Sequence, residues 1–322
     1  MKKNYIPGSK VDLECTTIKN KKQKVNNEDI IEYPESDYLL DAKKYRLKLA
    51  DSGLNSICRA IVLDWLIGVH RKFQFRPATL YISINLFDRF IINSTKGLIN
   101  CDNLQLVGAT CLHVASKYED MNPAVLMDYC IMSNSEFQPK DMIEMEANIL
   151  NSLQFKIIDG LSVLDYIDYF LKPLYNDKTV NLLSTSYYSC ATYITELALL
   201  HPTLIFFPVS LISISIIIFL CIVYSNGCKD ELVNNTFKQI KNKVLAYAKQ
   251  NNLVKNIKPC IHIITGIIKE QFFLEKKVKI SDSSEISYQC QKDLPFIFLK
   301  DLTSKWKNTY RALFHRISTI KR

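Results

Sequence analysis

The sequence predicts an all-α protein of two tandem five-helix domains preceded by an N-terminal helix, and three observations lead there. Glycine and proline are scarce, 8 and 10 in 322 residues, while Leu, Ile, Lys and Asn run on without the frequent turns that a sheet protein needs. The stretch Cys58–Lys72 is apolar on nearly every helical face, so a helix there must pack among others. Five helical patterns in the first half are followed by five more at similar spacing, a degenerate internal repeat. Hydrophobic residues make up 48% and charged residues 23%, a globular composition, and the length suits two domains of ordinary size.

Taken in order, residues 1–27 form a polar leader with no apolar periodicity, and disorder is expected there. Residues 28–55 hold the N-terminal helix, which Pro34 confines to positions at or after itself. The first domain spans 56–158. Its opening helix, Cys58–Lys72, contains two charges, Arg59 and Asp64, and a guanidinium in such surroundings requires a carboxylate partner. Pro77 suits the first turn of the next helix, Ala78–Ile92, with Leu80, Ile84, Phe87 and Ile91 on one face. A polar connection, Asn93–Asn103, leads to Leu104–Tyr118, where Gly108, Ala109, Ala115 and Ser116 permit close packing. Asn122-Pro123 starts a fourth helix, and Gln138-Pro139 a fifth that ends near Leu153.

The second domain, 159–271, follows with patterns at Leu161–Leu171, Thr179–Leu200, Pro208–Tyr224, Asp230–Gln250 and Asn256–Glu270. Thr203–Tyr224 carries no charge and, at ~1.5 Å per residue, has the length of a membrane span. Pro208 shortens it, Ser210, Ser213 and Ser215 dilute it, and its place at the centre of the second set favours a buried core helix. Residues 272–322 read as a polar insertion, Phe272–Pro295, and a basic C-terminal segment.

Composition also narrows the chemistry. The five histidines pair with no cysteine or carboxylate at metal-ligand spacing, and no phosphate loop, dinucleotide fingerprint, zinc-protease or nucleophile-elbow motif occurs. Neither a metal, a cofactor nor a catalytic set is expected, so the chain reads as a binding protein and not an enzyme. None of the ten cysteines forms a CxxC pair, and Cys58, Cys111 and Cys221 sit in apolar helical context. Without an N-terminal hydrophobic signal, a reduced compartment follows, nucleus and cytoplasm. The net charge of +9 is concentrated in Lys19–Lys24 and in Arg311–Arg322. These read as solvated segments, with nuclear import as the sharper meaning of the first and weak polyanion contact of the second.

CRAIVLDWLIGVHRKF from Cys58, TLYISINLFDRF at Thr79–Phe90, LQLVG at Leu104–Gly108 and ASKYED at Ala115–Asp120 occur in an order that resembles the cyclin box, above all that of the mitotic A- and B-type cyclins. The resemblance implies two tandem cyclin folds and a regulatory subunit that binds and activates a cyclin-dependent serine/threonine kinase in cell-cycle control. It implies that Asp88 is the buried partner of Arg59. Lys117 and Glu146 match the residues that grip the kinase's mobile helix, with Tyr118, Leu106 and Ile149 framing them. Holding that helix inward completes the kinase's own catalytic ion pair, so the cyclin supplies no chemistry.

A second surface is implied by the stripe Cys58, Ile61, Val62 and Trp65, flanked by Leu104 and Gln105, which in A-type cyclins docks Arg-x-Leu segments of substrates and inhibitors. Gly68 replaces the glutamate that attracts the motif's basic residue there, which weakens such docking. The leader lacks arginine and a KEN triplet, and the RxxL match Arg46–Leu49 lies in chain expected to be ordered, so timed destruction by the usual signal is in doubt. A transcription-type cyclin or a two-cyclin-fold transcription factor are the rival readings. The latter usually carries a zinc ribbon, and no paired cysteines precede the folds, so neither nucleic acid nor membrane is expected among the partners.

Overall fold

A computed structural model of the chain describes residues 56–94, 98–100, 102–176, 181–201, 204, 207–225, 231–280 and 305–319. The expected leader, N-terminal helix and RxxL match lie outside the described residues, as does most of the expected insertion. Among the described residues the secondary structure is helical throughout, with eleven helices.

The first five are α1 (Ser56–Phe73), α2 (Pro77–Asn93), α3 (Leu104–Glu119), α4 (Leu126–Met132) and α5 (Pro139–Ser152). Pro77 occupies the first turn of α2, where its missing N–H costs nothing. The start of α5 is fixed by Asp141, whose carboxylate accepts from the Gln138 backbone N–H at 2.8 Å, with Pro139 in the first turn. Asn122-Pro123 does not begin α4. Val125 is extended, with ψ 154°, and the helix starts only at Leu126 and lasts seven residues.

The second five are α6 (Val163–Asn176), α7 (Asn181–Leu200), α8 (Val209–Ser225), α9 (Glu231–Gln250) and α10 (Val254–Ile280), and α11 (Lys307–Thr319) follows. The start of α6 is capped by Ser162, whose hydroxyl accepts from the Asp165 N–H while the Asp165 carboxylate accepts from the Ser162 N–H at 2.7 Å. Helix α10 runs ten residues beyond the expected end at Glu270. Phe272–Ile280 contains neither glycine nor proline and continues with good helix formers, so nothing local stops it.

Each set is built around its third helix. In the first, α3 packs against α1, α2 and α5; in the second, α8 packs against α6, α7, α9 and α10. The helix at Cys58–Lys72, apolar on nearly every face, is not the centre of its set. Helix α1 is instead the bridge, touching α2 and α3 on one side and α7 of the second set on the other. Gly108 of α3 sets the α1–α3 separation, since a Cβ there would lie 2.9 Å from Val62 Cγ1 and 3.2 Å from Leu66 Cδ1.

Helix α8 settles the status of the long apolar run. Apart from Val209, Ile222 and Ser225 its residues are buried, because four helices cover it. Ser213 fits this core by returning its hydroxyl to the backbone, Oγ donating to Val209 O at 2.8 Å. No helix among the described residues is long and apolar enough to cross a membrane.

Candidate functional site

Two buried ionic arrangements hold the scaffold. Arg59 of α1 donates from Nε to Asp88 Oδ1 and from a terminal nitrogen to Asp88 Oδ2, both at 2.8 Å, with side chains only 2% and 4% exposed. Its other terminal nitrogen donates to the Leu199 carbonyl of α7 at 2.8 Å. One side chain therefore ties α1 to α2 and the first set to the second. The bidentate fork satisfies both carboxylate oxygens, the condition under which a buried pair offsets its desolvation.

The second arrangement was not foreseen as a pair. Glu196, the one charged residue in Asn181–Leu200, is 2% exposed, and its two oxygens accept from Lys305 Nζ and from Trp306 Nε1, each at 2.6 Å. Burial raises the Glu196 pKa, and the Lys305 charge with the two donated hydrogen bonds opposes that shift. The C-terminal segment is clipped to α7 by this contact, and α11 continues across α7 with Leu313 buried. The signal was present in the sequence: a lone carboxylate in an apolar helix demands a partner for the same reason that Arg59 does.

The candidate contact face lies on α3 and α5. Lys117 stands in the last turn of α3, where its charge complements the helix dipole. On α5, Met142, Met145 and Ile149 turn into the core, which leaves Glu146 on the outer side. The Lys117 ammonium donates to Glu146 Oε1, and the side chains are 41% and 19% exposed, so the pair joins the two helices at the surface. One turn earlier, His113 is buried with its ring edge-on to Tyr129, 5.4 Å between centroids. Desolvation and then the nearby Lys117 charge lower its pKa.

Of the framing residues, Tyr118 is exposed and Leu106 half-buried, but Ile149 is fully buried and serves the core. Seven of the ten large apolar side chains that are exposed among the described residues fall between 118 and 155. They include Met121 at 92%, Met127, Ile131 and Ile143, on the connection after α3 and on α4 and α5. Phe155, which the sequence reading missed, follows α5 at φ 57° and is 67% exposed. Its signal was an aromatic residue placed just after the expected helix end near Leu153, in the connection to the next helix.

The stripe expected on α1 lies partly open to solvent. Cys58, Ile61, Val62 and Trp65 are half-buried, as are Gly68 and Gln105, so α1 leaves one edge open to solvent and is not enclosed on every side. Leu104 is 2% exposed and belongs to the core. Among the described residues no group of three metal-ligating side chains occurs, and the six described cysteines are free thiols.

Comparison with known proteins shows what part of this chain is similar to. Residues 23–158 match the family model described as "Cyclin, N-terminal domain". Cyclin-A1-2 of Arabidopsis thaliana is 31% identical over 169 residues, 52% of this chain and 37% of that protein. Cyclin-B2-1 of the same plant is 36% identical over 160 residues, 50% of this chain and 35% of that protein. The chain thus spans little more than a third of the length of either relative. A chain of the CAK complex from Chaetomium thermophilum bound to ATP-gamma-S superposes with a TM-score of 0.50 at 12% identity, covering 88% of this chain and 90% of that one, a likeness of fold. The matched span holds the first helix set, with the α1–α2 ion pair and the four ordered motifs, and over that span the chain is similar to the cyclin family.

Proposed function

We propose that this chain is a regulatory subunit that binds and activates a cyclin-dependent serine/threonine kinase in cell-cycle control, and that it carries out no reaction itself. The observation that carries this reading is the Lys117–Glu146 pair, which joins α3 to α5 beside the stretch 118–155, where seven of the ten exposed large apolar side chains among the described residues lie. A patch of that kind on an otherwise well-packed protein marks a protein-binding site, and the cyclin resemblance supplies the partner, a kinase helix that must be held inward. The apolar collar excludes water from the contact, and the charged pair sets its register.

In this reading residues 56–158 are the first cyclin box and 159–271 the second, with the C-terminal segment clipped to the second box through Glu196. The half-open stripe of Cys58, Ile61, Val62 and Trp65 offers a groove for Arg-x-Leu segments of substrates or inhibitors. Gly68 leaves it without the acidic end that would hold the basic residue. The protein works in nucleus and cytoplasm, and the basic run Lys19–Lys24 serves import.

The test is to purify the tagged protein from its own cells, identify the copurifying kinase and assay histone phosphorylation with Lys117→Ala and Glu146→Ala combined. Because the pair is exposed, its loss costs the fold little, about 1 kcal/mol or less. The expected outcome is a folded variant that recovers little kinase and at least tenfold less activity. Equal recovery of an equally active kinase would refute the assignment.

A further inference from the structure

Phe155 stands out from a turn whose backbone is held from two sides. Gln154 and Phe155 follow α5 with φ 51° and 57°, so two successive residues that are not glycine adopt the left-handed conformation. The same pair of angles occurs after α4, at Asn134 and Ser135, with φ 56° and 63°. There the exposed side chains are polar, as water favours, whereas after α5 the turn exposes a phenyl ring. On one side the turn is closed by α5 itself, the Phe155 N–H donating to the Leu150 carbonyl at 2.8 Å.

The other side is held from α2. Arg89, whose side chain is 11% exposed, donates from one terminal nitrogen to the Lys156 carbonyl at 2.6 Å. Its other terminal nitrogen donates to the Ile157 carbonyl and to Asn85 Oδ1, each at 3.1 Å, and its Nε lies 3.5 Å from the Asp159 carboxylate. One planar guanidinium thus gives its donors to three acceptors between 156 and 159, the first of them on the residue directly after Phe155. A connection that only carried the chain from α5 to α6 could satisfy those carbonyls with water.

We propose that Arg89 is a positioning residue for the kinase contact: from α2 it fixes the connection after α5, so that the Phe155 ring is presented, already ordered, to an apolar pocket of the kinase. This rests on the function proposed above. A ring held in place loses little freedom when it is covered, so the ordering appears as affinity. Arg89 itself, turned to the connection and nearly buried, acts through Phe155 and not by touching the partner.

The test measures the affinity of full-chain variants for the copurified kinase and, without kinase, thermal unfolding and amide exchange at 154–159. Phe155→Ala should weaken binding by about tenfold or more and leave unfolding unchanged, because the ring is exposed. Arg89→Lys, which keeps the charge and loses the fork, should speed exchange at 154–159 and weaken binding by about fivefold. In the Phe155→Ala background, Arg89→Lys should weaken binding no further, a result that a merely structural role would not give. Should Arg89→Lys unfold the chain, Asp159→Asn, which removes the carboxylate beside Nε, makes the same comparison with a smaller loss. Losses that add in the double variant, or unchanged binding by Arg89→Lys despite faster exchange, would overturn the inference. If Lys117→Ala with Glu146→Ala abolishes kinase recovery and Phe155→Ala does not weaken binding, this inference falls and the proposed function stands; if neither variant weakens binding, both fall.

Discussion

The two helix sets share a plan, with the third helix at the centre of each, yet different chemistry holds them. The first is organised by polar devices in an apolar frame: the Arg59–Asp88 fork, the Asp141 cap on α5 and the surface pair Lys117–Glu146. The second relies on bulk apolar burial around α8 and on a cluster of rings. Tyr187 stacks on Phe237 at 5.1 Å between centroids, Tyr224 meets both, and Phe170 meets Tyr247 at 5.5 Å. Its principal buried ionic contact, Glu196 with Lys305 and Trp306, reaches outward to the C-terminal segment. A polar device demands particular residues at particular positions, whereas an apolar core accepts many combinations of similar volume. The match to an N-terminal domain model ends at residue 158, and the helical plan continues beyond it.

The comparison can be broken most directly at the two buried carboxylates. Asp88→Ala leaves the Arg59 guanidinium buried without its carboxylate, and should cost about 3–5 kcal/mol in chemical denaturation. Glu196→Ala should cost less, about 1–3 kcal/mol, because Lys305, 17% exposed, can turn to water. Equal losses would mean that the second set depends on its ionic contact as heavily as the first.

Acid should attack both sets through buried imidazoles. His70 of α1 is pushed down to about 4 by desolvation, its ring bonded through Nε2 to the Arg76 carbonyl at 2.9 Å, with Lys305 lowering and Asp120 raising its pKa by charge. His201, just after α7, is likewise lowered to about 4 by burial. Between the ordinary value of 6.5 and about 4, the unfolded chain takes up protons that the folded chain refuses. Stability is therefore full above that window and falls as the pH drops through it, on the order of 2–3 kcal/mol per histidine. Measured from pH 7.5 to 4.5, His70→Gln and His201→Gln should each flatten part of the slope, and a slope unchanged in both variants would contradict the assignment.

The smallest effects sharpen the contrast in packing. Gly108→Ala drives a Cβ against Val62 and Leu66 and should destabilise by about 1–2 kcal/mol. In the second set, Gly266 of α10 has no atom within 4 Å of the added Cβ, so Gly266→Ala should stabilise by about 0.5–1 kcal/mol through helix propensity alone. Thermal unfolding of the two variants should move in opposite directions.

Much of this was legible in the chain. Helix positions followed from apolar period and from Pro77, Pro139 and Pro208, and the need of Arg59 for a carboxylate followed from the cost of an unpaired buried charge. What escaped depended on long-range geometry. Periodicity placed Cys58–Lys72 as the most apolar helix of the first set but could not tell that α3 would take the centre. Nor could it show that one edge of α1 would stay open, because that depends on which neighbours arrive. Ile149 and Leu104 were placed on surfaces although both face inward, an error of about one helical position, since Glu146 lies three residues from Ile149 on a face that turns quickly from rim to core. The Glu196 clip joins residues 109 and 110 positions apart, beyond any local pattern.

The central claim is that the α3–α5 face, and not another surface, receives the kinase. Amide hydrogen exchange of the full chain, alone and with its copurified kinase, tests it most directly. The account predicts slowed exchange in residues 115–132 and 139–155, with α9 and α10 unchanged. Protection confined to α9 and α10, with the segments around Lys117 and Glu146 exchanging as in the free chain, would contradict it.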